Sequence, residues 1–235
     1  IAHSKSPAIH AAFAAQTRQD LVYDARLAPL AGFAQAVAEF VAAGGRGANV
    51  TVPFKEEAFR LATRLSDRAA RAGAVNTLLF ADAEIVGDNT DGAGLVRDIT
   101  INLGCALAGK RILLLGAGGA SRGVIAPLLA EQPAALAIAN RTAVKAETLA
   151  AQFADIAPVE GGDFGRYAGR NFDVVINATS ASLSGQGLPL PAGLFASGAL
   201  AYDMMYGKGE TPFLQLAREQ GAGRCADGLG MLVEQ

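Results

Sequence analysis

Apolar residues recur along this chain at two different periods, and the period changes wherever glycine, proline or a small hydroxyl residue interrupts it. In "SPAIHAAFAAQ" (6–16), Ile9, Phe13 and the alanines lie at helical spacing, with Ser6 placed as N-cap and Pro7 at the first helical position. "LVYDARLA" (21–28) alternates as a strand, and "LAGFAQAVAEFVAAGG" (30–45) returns to the helical period until Gly44-Gly45 stops it. "GANVTV" (47–52) is the next strand, so a strand, a helix and a strand predict a parallel crossover. "KEEAFRLATRLSDRAARAG" (55–73) predicts another helix, and "AVNTLLF" with "EIVG" around "ADA" predicts a β-hairpin.

A loop, "GDNTDGAGLVRDI" (87–99), then leads into a helix with Asp91 or Gly92 near its N-cap, and the pattern beyond it changes character. "KRILLLGAGGASRGVIAPLLAEQ" (110–132) reads as a fully apolar strand, a glycine turn and a helix; the strand "ALAIANRT" and the helix "VKAETLAAQFA" complete a βαβ unit. "FDVVINATS", "ALAYDMMY" and "GRCADG" supply three more strands, with "PFLQLAREQG" a helix between the last two. The fold class is therefore α/β in two domains: an N-terminal α/β unit over 1–91, and a doubly wound parallel sheet of Rossmann type over 92–227. Residues 228–235 begin a return towards the first domain, and 180–193 read as an irregular loop.

Composition narrows the function classes. The longest apolar runs, such as "ILLL", fall far short of the roughly 18 residues a membrane span needs. A net charge of −2 with scattered basic residues gives no footprint for nucleic acid, so the expected partners are small molecules. Cys105 and Cys225 are far apart and His3 and His10 are the only histidines, which argues against a disulfide framework or a metal site and fits a reducing cytoplasm. The chain starts at Ile1 without Met or a signal-like segment, so it is read as part of a longer reading frame.

"LLLGAGGAS" places Gly116 and Gly118 in the first two positions of G-x-G-x-x-G, with Ser121 at the third. Gly116 permits the tight turn, Gly118 lets the backbone approach a pyrophosphate, and the next helix offers its N–H groups to that anion, with Ala117, Gly119 and Ala120 completing the turn. The end of the following strand selects the dinucleotide. An NAD enzyme carries an acid there for the ribose 2′-OH, whereas this chain has Asn140, Arg141 and Thr142. A guanidinium grips a 2′-phosphate that a carboxylate would repel, so NADP is expected over NAD. Lys145 either adds a second charge or is an ordinary solvated lysine.

In "ANVTVPFKEEA" (48–58) a lysine opens a helix whose N-terminus favours anions such as Glu56 and Glu57. On local grounds alone Lys55 is a solvated lysine, Asp91 an N-cap, and Thr51 and Asn76 strand and turn residues. The segments "HSKSP", "GANVTVPFKEEA", "AGAVNTL", "GDNTDG", "GAGGASRG", "NRT", "INATS", "YDMMY" and "DGLGMLVEQ" nevertheless resemble, in order and over nearly the whole chain, those of the shikimate dehydrogenase family. The resemblance implies NADPH-dependent, metal-independent reduction of 3-dehydroshikimate to shikimate in aromatic amino acid biosynthesis, with substrate held in a cleft between the two domains. It makes Lys55 and Asp91 the catalytic pair, and the chemistry suits them, since hydride addition to a ketone creates an alkoxide that needs a proton donor and a positive charge.

The same resemblance assigns Ser4 and Ser6 to the substrate carboxylate, Thr51 and Asn76 to ring hydroxyls, and Tyr206 and Gln235 to the far side. It places Asp67, Ala178, Thr179, Met204 and Gly228 at the nicotinamide end. Ser6 has a competing role as helix cap, and His3 and His10 have no assigned role. The resemblance also implies a strand before Ile1 and helices after Gln235. It leaves open a monomer or a homodimer. Rival readings are an NAD-using quinate/shikimate dehydrogenase, against which "NRT" argues, and a non-catalytic NADP-binding module, against which the retained Lys55, Asp91, Asn76 and both serines argue.

Overall fold

The structure, a computed structural model, describes residues 4–181, 187–207 and 209–235. They fall into two compact units, Ile1–Gly45 and Arg46–Gln235. His3 and the middle of the expected 180–193 loop, residues 182–186, lie outside the described residues.

The first unit contains helices α1 (Ser6–Thr17) and α2 (Phe33–Ala42). Ser6 is not the N-cap of α1. Lys5 precedes the helix in helical conformation without a side-chain cap, and the Ser6 N–H donates to Ser4 Oγ at 3.2 Å. The helix closes on Arg18, which adopts a left-handed conformation. Residues 21–28 form no strand, contrary to their alternating pattern. A strand needs a neighbour for its backbone N–H and C=O groups, and none of the described strands pairs with this segment; Val22 and Leu27 are 91% and 87% exposed. The segment instead makes side-chain contacts: the Tyr23 ring stacks on His10 at 4.0 Å, and the Arg26 guanidinium lies over the Phe40 ring.

The second unit carries two sheets. The smaller is built from β1 (Gly47–Asn49), β2 (Arg64–Leu65), β3 (Thr77–Ala81) and β4 (Glu84–Asp88) in the order β1-β3-β4-β2. The parallel crossover expected between residues 21–28 and β1 is absent because 21–28 form no strand; β1 instead pairs antiparallel with β3, and β2 runs parallel to β4. The β3–β4 hairpin forms as expected, with Asp82 and Ala83 both at positive φ, the backbone that a two-residue turn between twisted strands requires. The helix expected over 55–73 is two helices, α3 (Lys55–Leu61) and α4 (Asp67–Ala72). Ser66 decides the break, because its hydroxyl caps α4 by accepting from the Ala69 N–H, and β2 fills the space before it.

Helix α5 (Asp91–Arg97), continued by a π-helical turn over Asp98–Asn102, leads to the larger sheet. Its strands are β5 (Arg111–Leu115), β6 (Ala135–Ala139), β7 (Val159–Gly162), β8 (Phe172–Asn177), β9 (Phe195–Asp203) and β10 (Arg224–Asp227), all parallel in the order β10-β9-β8-β5-β6-β7. The order reverses between β5 and β8, which is where a doubly wound sheet opens a crevice beyond its strand ends. β7, a glycine-containing edge strand, has no apolar alternation and was not expected from the pattern. Along β5, Ile112 and Leu114 enter one core with Val124, Leu128 and Ile138, while Leu113 and Leu115 enter the other with Val175, Phe213 and Leu214. Burial on both faces is why this strand reads as an unbroken apolar run. Helices α6 (Gly119–Ala130), α7 (Ala143–Ala151) and α8 (Pro212–Glu219) accompany these strands, and α9 (Leu229–Glu234) packs on α5.

Candidate active site

Lys55 is the first residue of α3, and the chain reaches it from β1 through Thr51, whose carbonyl accepts from the Phe54 N–H, and a cis Val52–Pro53 bond. Its Nζ donates to Asp91 Oδ2 at 2.5 Å, with the lysine side chain 12% exposed and the aspartate 1%. That partner accounts for a cation at a helix start: a buried carboxylate outweighs the partial charge of a short helix. Asp91 is in turn the first residue of α5, after Thr90, and its second oxygen, Oδ1, accepts from Asn76 Nδ2 at 3.0 Å and from Gln235 Nε2 at 3.2 Å.

A supporting layer fixes this carboxylate. Asn76 is buried, and its amide also donates to Thr90 Oγ1 while its carbonyl oxygen accepts from the Thr90 N–H. Asn89, likewise buried, accepts from the Asp91 N–H and donates to the Ala74 carbonyl. The Val75 N–H donates to the Lys55 carbonyl, and the Asn76 N–H to the Asp88 carbonyl, so both members of the pair are tied to the same few residues of the β3–β4 region. Asp88 is held by a two-pronged Arg68 contact and by Ser66 Oγ, and the Arg68 guanidinium lowers its pKa to about 2. Asn89 and Thr90 belong to this layer as well, and their only signal in the sequence is their place beside Asp91 in "NTDG".

Lys55 borders a cleft of about 320 Å³ that is also lined by Val52, Pro53, Glu56, Gly116–Ala120, Asn140 and Ala178–Ser180, while its partner Asp91 is buried beside it. Glu56 therefore does more than favour a helix start: it borders the cleft, and Arg122 Nε lies 3.9 Å from its carboxylate. The glycine turn fits a dinucleotide pyrophosphate on steric grounds. Gly116 sits at φ +108°, a conformation side chains rarely take, and a Cβ at Gly118 would meet nothing within 4 Å, leaving the backbone open to an incoming group. Behind it, Ser121 is fully buried with its hydroxyl unpartnered among the described residues. Asn140 borders the cleft and donates to the Thr142 carbonyl, while Arg141 and Thr142 just before α7 and Lys145 in its first turn are exposed.

At the end of β8, Asn177 Oδ1 accepts from both the N–H and the hydroxyl of Thr179, and Asn177 Nδ2 donates to the buried Asp203 of β9. Asp203 also accepts from the Met205 N–H and from Thr211 Oγ1, so the segment carrying Met204 and Tyr206 is anchored to the same buried carboxylate. Gly228 lies against the Met204 carbonyl, where a Cβ would come within 2.3 Å. Asp67 stands in the first turn of α4 and is not among the residues bordering the cleft. Thr51 is exposed beside Val52, and Ser4 and Ser6 belong to the first unit. Among the described residues no group of three or more His, Cys, Asp or Glu is arranged to hold a metal ion.

A switch-point cleft bordered by a glycine turn and by a lysine that a buried aspartate holds defines a dinucleotide-dependent oxidoreductase of the doubly wound α/β class. Two family models match the sequence, one described as the shikimate dehydrogenase substrate binding domain over residues 1–78 and one as shikimate / quinate 5-dehydrogenase over 99–184. The chain is 79% identical to the shikimate dehydrogenase (NADP(+)) of Dechloromonas aromatica (strain RCB) over its full length, covering 86% of that protein. Among solved structures it is similar to an Ael1 enzyme from Pseudomonas putida, with TM-score 0.89 and 50% identity over 100% of this chain and 86% of that one. It is also similar to shikimate 5-dehydrogenase from Thermus thermophilus in complex with NADP(H) and shikimate, with TM-score 0.85 and 33% identity over 99% and 86% of the two chains. The chain belongs to the shikimate dehydrogenase family.

Proposed function

We propose that this chain catalyses the reversible NADPH-dependent reduction of 3-dehydroshikimate to shikimate, a step of aromatic amino acid biosynthesis. The observation that carries the mechanism is the 2.5 Å contact between Lys55 Nζ and Asp91 Oδ2 beside the cleft that Gly116–Ala120 border. When bound, the reduced nicotinamide supplies the hydride that forms the new C–H bond. Lys55 has three N–H donors, of which one is committed to Asp91, so the others are available to the ketone oxygen. As that oxygen gains negative charge, the ammonium stabilises it and transfers a proton to it; in the reverse direction Lys55 receives the hydroxyl proton. Asp91, with both oxygens engaged, holds the ammonium in place and balances its charge.

The remaining assignments belong to the same proposal. Gly116–Ala120 and the first turn of α6 receive the pyrophosphate, and Asn140, Arg141, Thr142 and Lys145 receive the adenine-side ribose with its 2′-phosphate. Ala178, Thr179, Met204 and Gly228 shape the nicotinamide end, and Asp67 is a further cofactor-side candidate. Ser4, Ser6, Thr51, Asn76, Tyr206 and Gln235 recognise a polyhydroxylated carboxylate. The domain division at residue 91, a cytoplasmic location, and a monomer or homodimer complete the reading.

The test is a steady-state assay of the protein with shikimate or quinate, each paired with NADP or NAD. Shikimate with NADP is expected to give the highest kcat/KM. A higher value for quinate with NAD would overturn the assignment, and sedimentation of the same sample reads the oligomeric state.

A further inference from the structure

The Gln235 amide reaches Asp91 Oδ1 from the end of α9, a helix of six residues. Such a helix is too short to hold itself in place, so its tertiary contacts determine where Gln235 lies. Near its C-terminal end, Glu234 meets Arg97 and Asn102, but Arg97 is 63% exposed and an ion pair in that setting is weak. The start of α9 is held differently. The Tyr202 ring of β9 is fully buried, and its hydroxyl donates to Asp98 Oδ2 at 2.6 Å.

Asp98 completes the joint. It is buried, its Oδ1 accepts from Asn102 Nδ2 at 2.9 Å, and it lies so close over Gly230 that a Cβ there would come within 2.1 Å of Oδ1. Gly94 on α5 permits the matching approach at the other end, because its missing Cβ would fall 2.8 Å from both the Met231 carbonyl and the Gln235 side chain. Burial, followed by the bond to Asp98, pushes the Tyr202 pKa up, which keeps the hydroxyl a donor.

We propose that Tyr202 and Asp98 are positioning residues for the Lys55–Asp91 pair: they register α9 to the central sheet and to the end of α5, and thereby keep the Gln235 amide on Asp91 Oδ1. Without that donor Asp91 retains Asn76 on Oδ1 but gains freedom to rotate, and the contact from Oδ2 to Lys55 loosens. The inference rests on the reading of Lys55 and Asp91 as the proton-transfer pair.

A double-mutant cycle with Tyr202→Phe and Gln235→Ala, assayed with shikimate and NADP, tests it. Tyr202→Phe removes a single oxygen and is expected to lower kcat/KM for shikimate about tenfold, with the KM for NADP within about twofold of the parent. The double variant is expected to be no worse than Gln235→Ala alone, because both changes remove the same contact. Multiplied losses, full activity of Gln235→Ala, or a rise in the NADP KM with shikimate parameters unchanged would each overturn the inference while leaving the function intact. An inactive parent overturns the functional reading and this inference with it. Should Tyr202→Phe fail to fold, Asp98→Asn replaces it in the same cycle with the same expectations.

Discussion

Gly119 at the first turn of α6 packs directly on Lys55: a methyl group built on Gly119 would lie 3.1 Å from Lys55 Cβ. The turn read as a phosphate cradle thus also supports the lysine from behind. Gly119→Ala is expected to displace Lys55 by a few tenths of an ångström and to lower kcat about tenfold, since small misplacements at a reacting centre are costly. Gly118→Ala has open space for its methyl group and an extended backbone. It is expected to leave Lys55 in place and to raise the KM for NADP, so the two neighbouring variants should separate cleanly in a kcat and KM comparison.

Lys55→Ala is expected to lower turnover by about 10²–10⁴ while changing shikimate KM only a few-fold, as loss of a general acid–base group should. It also leaves a carboxylate 1% exposed without its cation. Thermal or urea unfolding should therefore show a loss of about 3–5 kcal/mol, the range for removing one partner of a buried pair. Adding Asp91→Asn to Lys55→Ala should recover part of that stability and none of the turnover.

Arg141 is exposed at the end of β6, with no ion pair among the described residues. Arg141→Ala is expected to reduce kcat/KM with NADP by about tenfold or more and to leave that with NAD nearly unchanged, because a guanidinium bond to the 2′-phosphate has no counterpart in NAD. Equal losses with both cofactors would remove Arg141 from the 2′-phosphate site.

Asp88 contributes an acid-sensitive part of the stability. Its folded pKa of about 2, lowered chiefly by Arg68, lies below the roughly 3.9 of an unfolded aspartate. The contribution is therefore fully present above about pH 4 and is lost as pH falls towards 2. Unfolding free energy measured from pH 6 to pH 2 should fall less steeply in Asp88→Asn than in the parent.

Much of this protein was legible in its sequence where the code is local. The apolar run of β5, the glycine turn and α6 carry their own signals, because double-sided burial and a backbone at φ +108° each demand particular residue types. The β3–β4 hairpin was legible in the same way, and Lys55 stood out because it broke the rule for helix starts. Local pattern misled where a partner was needed. Residues 21–28 alternate as a strand yet pair with none of the described strands, and Ser6 offers a cap that α1 does not use.

The sequence by itself determined the α/β class and the dinucleotide turn, because those follow from burial period and backbone freedom; Lys55 and Asp91 were marked as a pair only by the resemblance of their segments to a family. Only the tertiary structure decided that Lys55 and Asp91, 36 residues apart, meet at 2.5 Å, and that Asn76 and Gln235 share the opposite oxygen. Gln235 stands 144 residues from the aspartate it touches, and Tyr202 stands 104 from Asp98. No short-range pattern encodes such distances; they are set when α5 and α9 pack through Gly94, whose missing side chain lets the Met231–Gln235 backbone approach, and through Gly230, whose missing side chain admits the Asp98 carboxylate.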